Sequence, residues 1–343
     1  MTNKENEIAV GGLLMVGIPG PALDDSTRAL IREDRVNDFI LFKRNAISPE
    51  QIKGLTGELA AACAEAGLGP SLIAIDQEGG SVARLGPPFS RFPDARQLAN
   101  GAEPEKALTA YARTCAVELT GVGINFNLAP VLDICPAGQG LFMERRALGD
   151  DPQKVADLGV LVIKTMQEQG LAACGKHFPG LGAARLDPHR VLPVVEQSRE
   201  ELLDRDLLPF QAAAEAGVAA IMSSHTIYPA LDPAQPATLS PLILDGLLRQ
   251  RLGYQGVIIT DDLEMGAIEN HHSLPEAALA AFLAGADLLL ICHEHAKVRA
   301  TLARLQQAVR EGGISRERLT QSLARIARLR AAFISVASNQ QKR

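Results

Sequence analysis

Eight apolar, β-rich runs, each followed by a longer stretch of helical periodicity, predict a (β/α)8 TIM-type barrel with an additional C-terminal helix. A second observation agrees: polar residues capable of chemistry fall where the runs end, which is where this architecture gathers its functional groups. The third is size, since 343 residues at 47% apolar content suffice for one such barrel and its core.

The first run, 12–16, precedes a helical stretch at 24–32, and the second, 38–42, precedes one at 49–65. Runs 72–75 and 125–128 lead to helices at 105–119 and 152–169. Run 171–174 is broken soon after its end by Pro179 and Gly180, and a helix is expected at 199–216. Runs 220–223, 257–260 and 287–291 are followed by helical stretches at 241–251, 275–284 and 296–311. Beyond Gly313, Leu319, Leu323, Ile326, Leu329 and Phe333 recur every three or four residues, a stripe suited to covering the barrel wall. No low-complexity linker divides the chain, so one domain over 1–343 is expected, with polar tails at 1–7 and 338–343, the second of them frayed.

Charge and cysteine usage narrow the class. A net charge of −6 without a dense basic run argues against nucleic acid as a partner. The polar start lacks the order of a secretory signal, and no apolar stretch approaches a membrane span, so a cytoplasmic protein without membrane insertion is expected. Cys63, Cys115, Cys135, Cys174 and Cys292 are an odd set without metal or redox spacing and read as buried thiols. Oligomeric state is not legible.

Lys176-His177-Phe178-Pro179-Gly180, followed by Asp187-Pro188-His189, reads as an active-site loop leaving the fifth run. Asp187 and His189 offer a carboxylate that orients an imidazole for proton transfer; the other reading is a solvated Asp-Pro turn. Asp261, at the exit of the seventh run, is the nucleophile candidate; alternatively, one of Asp261 and Asp262 caps the next helix, or the two divide these roles. Asp76-Gln77-Glu78-Gly79-Gly80 sets two acids beside closely approachable backbone, and Arg84 and Arg146 supply forked donors. Asp133 and His225 also lie near run exits. Cys292-His293-Glu294-His295 is read as a polar strand exit, no second cluster completing a metal site, and no glycine-rich phosphate loop calls for a nucleotide. Neither metal nor cofactor is expected.

Taken in order, the Lys176–Gly180 and Asp187–His189 motifs, Asp76–Gly80, Ala129-Pro130-Val131-Leu132-Asp133, Ser224-His225-Thr226-Ile227-Tyr228 and Thr260–Leu263 resemble the bacterial β-N-acetylhexosaminidases of glycoside hydrolase family 3, in their short form. The resemblance implies a retaining hydrolase that removes terminal β-linked N-acetylglucosamine, with peptidoglycan fragments as the natural substrate. It implies Asp261 as nucleophile, His189 as acid/base oriented by Asp187, and Asp76, Arg84, Arg146, Lys176 and His177 as sugar-binding residues. The chain departs from the family pattern at Leu181, where His is usual, at Pro188, where Ser is usual, and at Ser81, where Arg is common. Two other readings compete: a phosphorylase, because an imidazole acid/base does not repel phosphate, and a catalytically silent sugar-binding barrel.

Overall fold

The structure, a computed structural model, describes residues 7 and 9–340. Of the expected tails, residues 1–6 and 341–343 lie outside the described residues, and 338–340 fall within the last helix. The barrel strands are β1 (Leu14–Gly17), β2 (Asp38–Leu41), β3 (Ile73–Ile75), β4 (Phe126–Asn127), β5 (Ala172–Phe178), β6 (Ala220–Ser223), β7 (Val257–Asp262) and β8 (Leu288–Ile291). All neighbours pair in parallel, and Val16 faces both Phe39 of β2 and Ile291 of β8, which closes the barrel. Parallel strands are covered on both faces, so runs such as Leu288–Ile291 are apolar throughout rather than alternating.

Helices follow the strands in turn: α1 (Asp25–Arg32), α2 (Pro49–Glu65), α3 (Pro104–Gly121), α4 (Pro152–Glu168), α5 (Leu208–Glu215), α6 (Leu242–Arg251, wound as a π-helix), α7 (Leu274–Ala284) and α8 (His295–Arg310). Their starts are written locally. Asp24, Ser48 and Asp151 each accept a hydrogen bond from a first-turn N–H, and Pro49 and Pro152 occupy positions where a missing N–H costs nothing.

Most strand ends fall within one or two residues of the expected runs, and two of those that differ, the ends of β4 and β5, do so for one reason. Pro130 has no N–H, so β4 ends at Asn127 rather than 128. The carbonyls of Ala129 and Pro130 nevertheless accept from the N–H groups of Cys174 and Lys176, and β5 runs on to Phe178 rather than stopping at 174. The helix expected over 199–216 is interrupted: Arg199–Glu201 passes into a π-type turn, Leu202–Asp206, before α5, whose Pro209 cannot continue the preceding helical bonds. Hairpins Gln77–Gly79/Val82–Ala83 and Ile227–Tyr228/Asp232–Pro236, and short helices Ala95–Ala99 and Gly266–Glu269, are too brief to show a period in sequence.

The last helix, α9 (Arg316–Gln340), buries Leu319, Ile326 and Leu329 as the apolar stripe requires. It closes the N-terminal end of the barrel rather than lying along its wall. Arg330 makes a two-pronged pair with Asp38 at the start of β2 (3.0 and 2.7 Å), and Arg318 and Arg325 meet Asp287, which precedes β8. Carboxylates at strand starts, buried and needing cations, thus decide where the stripe docks. Among the described residues no helix is long and apolar enough to cross a membrane.

Candidate active site

Two irregularities at the C-terminal ends of the strands aim the site's side chains. Between β5 and β6, Lys176 pairs with Met222 and Phe178 with Ser223, so one extra residue is accommodated at His177. Between β7 and β8, Ile259 pairs with Leu288 and Asp262 with Leu290, which leaves an extra residue around Asp261. Regular strands send successive side chains to opposite faces, and a bulge breaks that rule. Consecutive residues Lys176 and His177 therefore line the same cavity, and Asp261 joins them.

That cavity, about 310 Å³, is lined by all eight predicted residues: Asp76, Arg84, Arg146, Lys176, His177, Asp187, His189 and Asp261. A larger groove of about 550 Å³, between α2 and α3 and reaching Ile334 of α9, is mostly apolar and carries none of these groups. The polar cavity is the candidate site because convergent titratable groups, not volume, make chemistry.

One wall is a charge ladder. Arg84 contacts Asp76 (3.0 Å), Lys176 bridges Asp76 (2.8 Å) and Glu78 (2.7 Å), and Arg146 grips Glu78 with Nε and Nη2 at 2.9 and 2.8 Å. Burial raises the pKa of Asp76 and Glu78, but the adjoining cations outweigh it; Asp76 lies well below the usual range and Glu78 falls to about 2. Three cations against two carboxylates leave the wall positive, with donors for hydroxyl and amide oxygens. Glu78, not among the predicted site residues, is the shared counter-ion of Lys176 and Arg146. Its signal was its place in Asp76–Gly80.

Asp133 is the second such anchor. Its Oδ1 accepts from the N–H groups of His177 (3.1 Å) and Leu181 (2.6 Å), and its Oδ2 lies 2.7 Å from Nδ1 of His177. One carboxylate thus fixes the imidazole and the start of the loop that follows. Leu181, which replaces the family's usual His, is buried and keeps the backbone bond.

The loop carrying Asp187 and His189 folds back over the cavity. Its stem pairs with the segment after β6 through Val195 N–H to Ile227 O at 2.9 Å, and its tip docks on the turn after β7. There Gly266 N–H reaches His189 O (3.1 Å), Ala267 N–H reaches Pro188 O (3.1 Å), and Asn270 Nδ2 reaches Arg190 O (3.1 Å). A side chain at Gly266 would put its Cβ 2.7 Å from Arg190 O and 3.0 Å from His189 O. Gly266→Ala should therefore lift the tip and lower kcat/KM by about 10²-fold, the usual cost of ångström-scale misplacement. Steady-state kinetics beside a thermal melt would show activity falling far more than stability.

Asp187 Oδ1 takes both the backbone N–H of His189 (3.0 Å) and its Nδ1 (2.7 Å). Burial raises the Asp187 pKa, but these bonds and the imidazole charge prevail and hold it below the usual value. An ionised carboxylate can only accept, so Nδ1 carries hydrogen and Nε2 is left for proton transfer. Phe142 meets the His189 ring edge-on at 6.0 Å and also lies 5.5 Å from the Arg146 guanidinium. Its place after β4 gave no sequence signal.

The two aspartates that end β7 divide their work. Asp261 faces the cavity; Asp262 Oδ1 accepts from Glu264 N–H in the turn at 3.1 Å. Burial raises the Asp261 pKa, yet the charges of His177, His225 and His189 and the N–H of Asp262 hold it below the ordinary carboxylate value. His225 is buried and its Nε2–H donates to the Asp262 carbonyl at 2.9 Å, steadying the strand end. The pair after β8 separates: His293 turns to Asp262 (3.4 Å), while His295 contacts Ser26 (2.8 Å) and Gly17 O (3.0 Å). Asp262, Glu264 and His293 do place ligand atoms within 4.8 Å, a grouping not seen in sequence. Glu264 there already accepts from the N–H groups of His293 and Glu294.

A parallel barrel whose mouth joins a strand-end carboxylate, an Asp–His pair and a cationic wall around a small polar cavity defines a (β/α)8 enzyme for a hydroxyl-rich ligand. The model of the glycosyl hydrolase family 3 N-terminal domain matches residues 7–329, and the chain belongs to that family. A β-hexosaminidase of Thiobacillus denitrificans is 38% identical over 299 residues, covering 86% of this chain and 82% of its own. A family 3 β-N-acetylglucosaminidase from a Paenibacillus species superposes with a TM-score of 0.91 at 40% identity, over 95% of this chain but 62% of that one. The β-N-acetylhexosaminidase of Beutenbergia cavernae gives 0.87 at 29% identity, over 95% and 98% of the two chains.

Proposed function

We propose that the protein hydrolyses the bond between a terminal β-linked N-acetylglucosamine and its aglycone, with retention of configuration. The observation that carries this reading is that Asp261 and the Asp187–His189 pair line one sugar-sized cavity together with the cationic wall. The names of the similar enzymes, β-hexosaminidase and β-N-acetylglucosaminidase, support it. Asp261 attacks the anomeric carbon as His189 Nε2–H protonates the departing oxygen. The covalent glycosyl ester is then opened by water, whose proton returns to Nε2. Asp76, Arg84, Arg146, Lys176 and His177 hold the sugar. Peptidoglycan fragments are the proposed natural substrate and the cytoplasm the proposed site of action; the five cysteines, all free and buried, suit a reducing compartment.

Hydrolysis of an aryl β-N-acetylglucosaminide and of the matching glucoside, with the first-formed anomer read by NMR, tests the proposal. The N-acetylated substrate should be cleaved preferentially and the β-anomer should appear first. Failure to cleave either would overturn the assignment, an α-anomer would remove the covalent step, and phosphate-dependent sugar 1-phosphate would make the protein a phosphorylase. His189→Ala should lose about 10²- to 10⁴-fold in kcat/KM on a poor leaving group and little on dinitrophenolate, which departs unprotonated.

A further inference from the structure

The segment bearing Asp187 and His189 begins at Gly180 and ends near Gln197, and one buried side chain touches both ends. Asp206, 2% exposed, closes the π-type turn Leu202–Asp206. Gln197 Nε2 donates to its Oδ2 at 2.7 Å. Gly180 approaches so closely that a Cβ built there would stand 3.1 Å from the Asp206 Cβ. The opposite side of Gly180 is held by Tyr228, whose hydroxyl donates to the Gly180 carbonyl at 2.9 Å. Gln197 Oε1 is buried without a partner, so the bond to Asp206 is what tethers that side chain. None of these groups lines the catalytic cavity. π-Type turns recur at functional sites, and this one delivers Asp206 to the base of the loop.

Resting on the reading of His189 as the acid/base, we propose that Asp206 is a positioning residue for proton transfer: in its neutral form it clamps the two ends of the 180–197 segment and so holds His189 over the departing oxygen. The ionisable groups around it are Asp133 from the stretch after β4, Tyr228 from the hairpin after β6, Arg205 on its own turn and Glu201 just before that turn. Burial pushes the Asp206 carboxyl up to about 7; Arg205 and Gln197 oppose this, and Asp133 and Glu201 add to it. Ionisation strengthens the Gln197 bond but sets a second negative charge beside Asp133, and the water admitted to solvate that charge parts the segment from the barrel. The folded pKa is raised, so the clamp is complete in mild acid and is lost as pH rises through about 7.

The test compares kcat/KM on methyl β-N-acetylglucosaminide, which needs a proton to leave, with that on the 2,4-dinitrophenyl glycoside, which does not. Asp206→Ala should lower the first by about tenfold or more and leave the second nearly unchanged. Gln197→Ala should reproduce that split from the other partner, so the test survives if Asp206→Ala does not fold. Asp206→Asn, permanently neutral, should retain the methyl glycosidase activity and carry it further into alkaline pH than the wild type. Equal losses on both substrates, or no loss on either, overturn the clamp; an alkaline limb unmoved in Asp206→Asn overturns its ionisation. His189→Ala is the control: if it shows no split, the acid/base reading fails, whereas a split there without one in Asp206→Ala fails the clamp alone.

Discussion

Asp261→Asn should reduce turnover of an aryl β-N-acetylglucosaminide by on the order of 10⁴-fold or more while leaving binding of the free sugar nearly intact. The amide preserves volume and the contact with the Asp262 N–H at 2.8 Å, so the strand end and its bulge persist. What is lost is an ionised oxygen able to form a bond to the anomeric carbon. The imidazoles around Asp261 hold it ionised into mild acid, so the acidic limb of the wild-type kcat/KM profile should lie below the ordinary aspartate range. In Asp261→Ala, azide should enter the vacated space, attack from the same face and yield the α-glycosyl azide, identified by NMR. Full activity in either variant would move the nucleophile elsewhere, Asp262 first.

Lys176→Met has the largest expected effect on stability, about 3–5 kcal/mol in a denaturant titration at neutral pH, because it removes the buried cation shared by part-buried Asp76 and buried Glu78 and leaves each with a single arginine. Lys176 is 1% exposed, and its ammonium is the group common to Asp76 and Glu78. Ordinary surface ion pairs lose about 1 kcal/mol or less, so the size of the effect measures the burial. Its pH dependence has a definite sign. Glu78 is depressed to about 2, so the wild-type contribution is present above the ordinary glutamate range and declines as pH falls toward 2. In Lys176→Met the carboxylates protonate at higher pH, and the gap between variant and wild type should narrow as the solution is acidified. A gap that widened in acid would show the ladder to be paired differently.

How much of this was legible follows from what each feature depends on. Continuous apolar runs, helical periods and caps such as Ser48-Pro49 are local, and they placed the eight strands and the helices between them. Residues at run exits were legible for the same reason: once a barrel is granted, the exit of a strand has a known address. The eight candidates were therefore chosen without contacts, and they converge on one cavity. Glu78 and Asp133 were harder to choose because their function is to hold other side chains. A counter-ion is recognised by its partners, here Arg146, Lys176 and His177, and those partners lie 44 to 98 positions away. Phe142 and Asp206 gave no signal at all, since an aromatic after a strand and an acid in a helix have ordinary local explanations.

The sequence by itself determined the barrel, the ends of the strands where chemistry gathers, and the residue types that arrive there, because hydrophobic period and turn chemistry act over a few residues. Only the tertiary structure decided how they point. The extra residues at His177 and Asp261 arise from the offset between neighbouring strands, and the loop tip reaches the cavity because the turn after β7 offers N–H groups and a bare Gly266 to receive it. α9 settled on the open end of the barrel because buried Asp38 and Asp287 await its arginines there. Each of these outcomes satisfies charges or hydrogen-bonding groups brought together from distant parts of the chain, a condition no window of sequence contains.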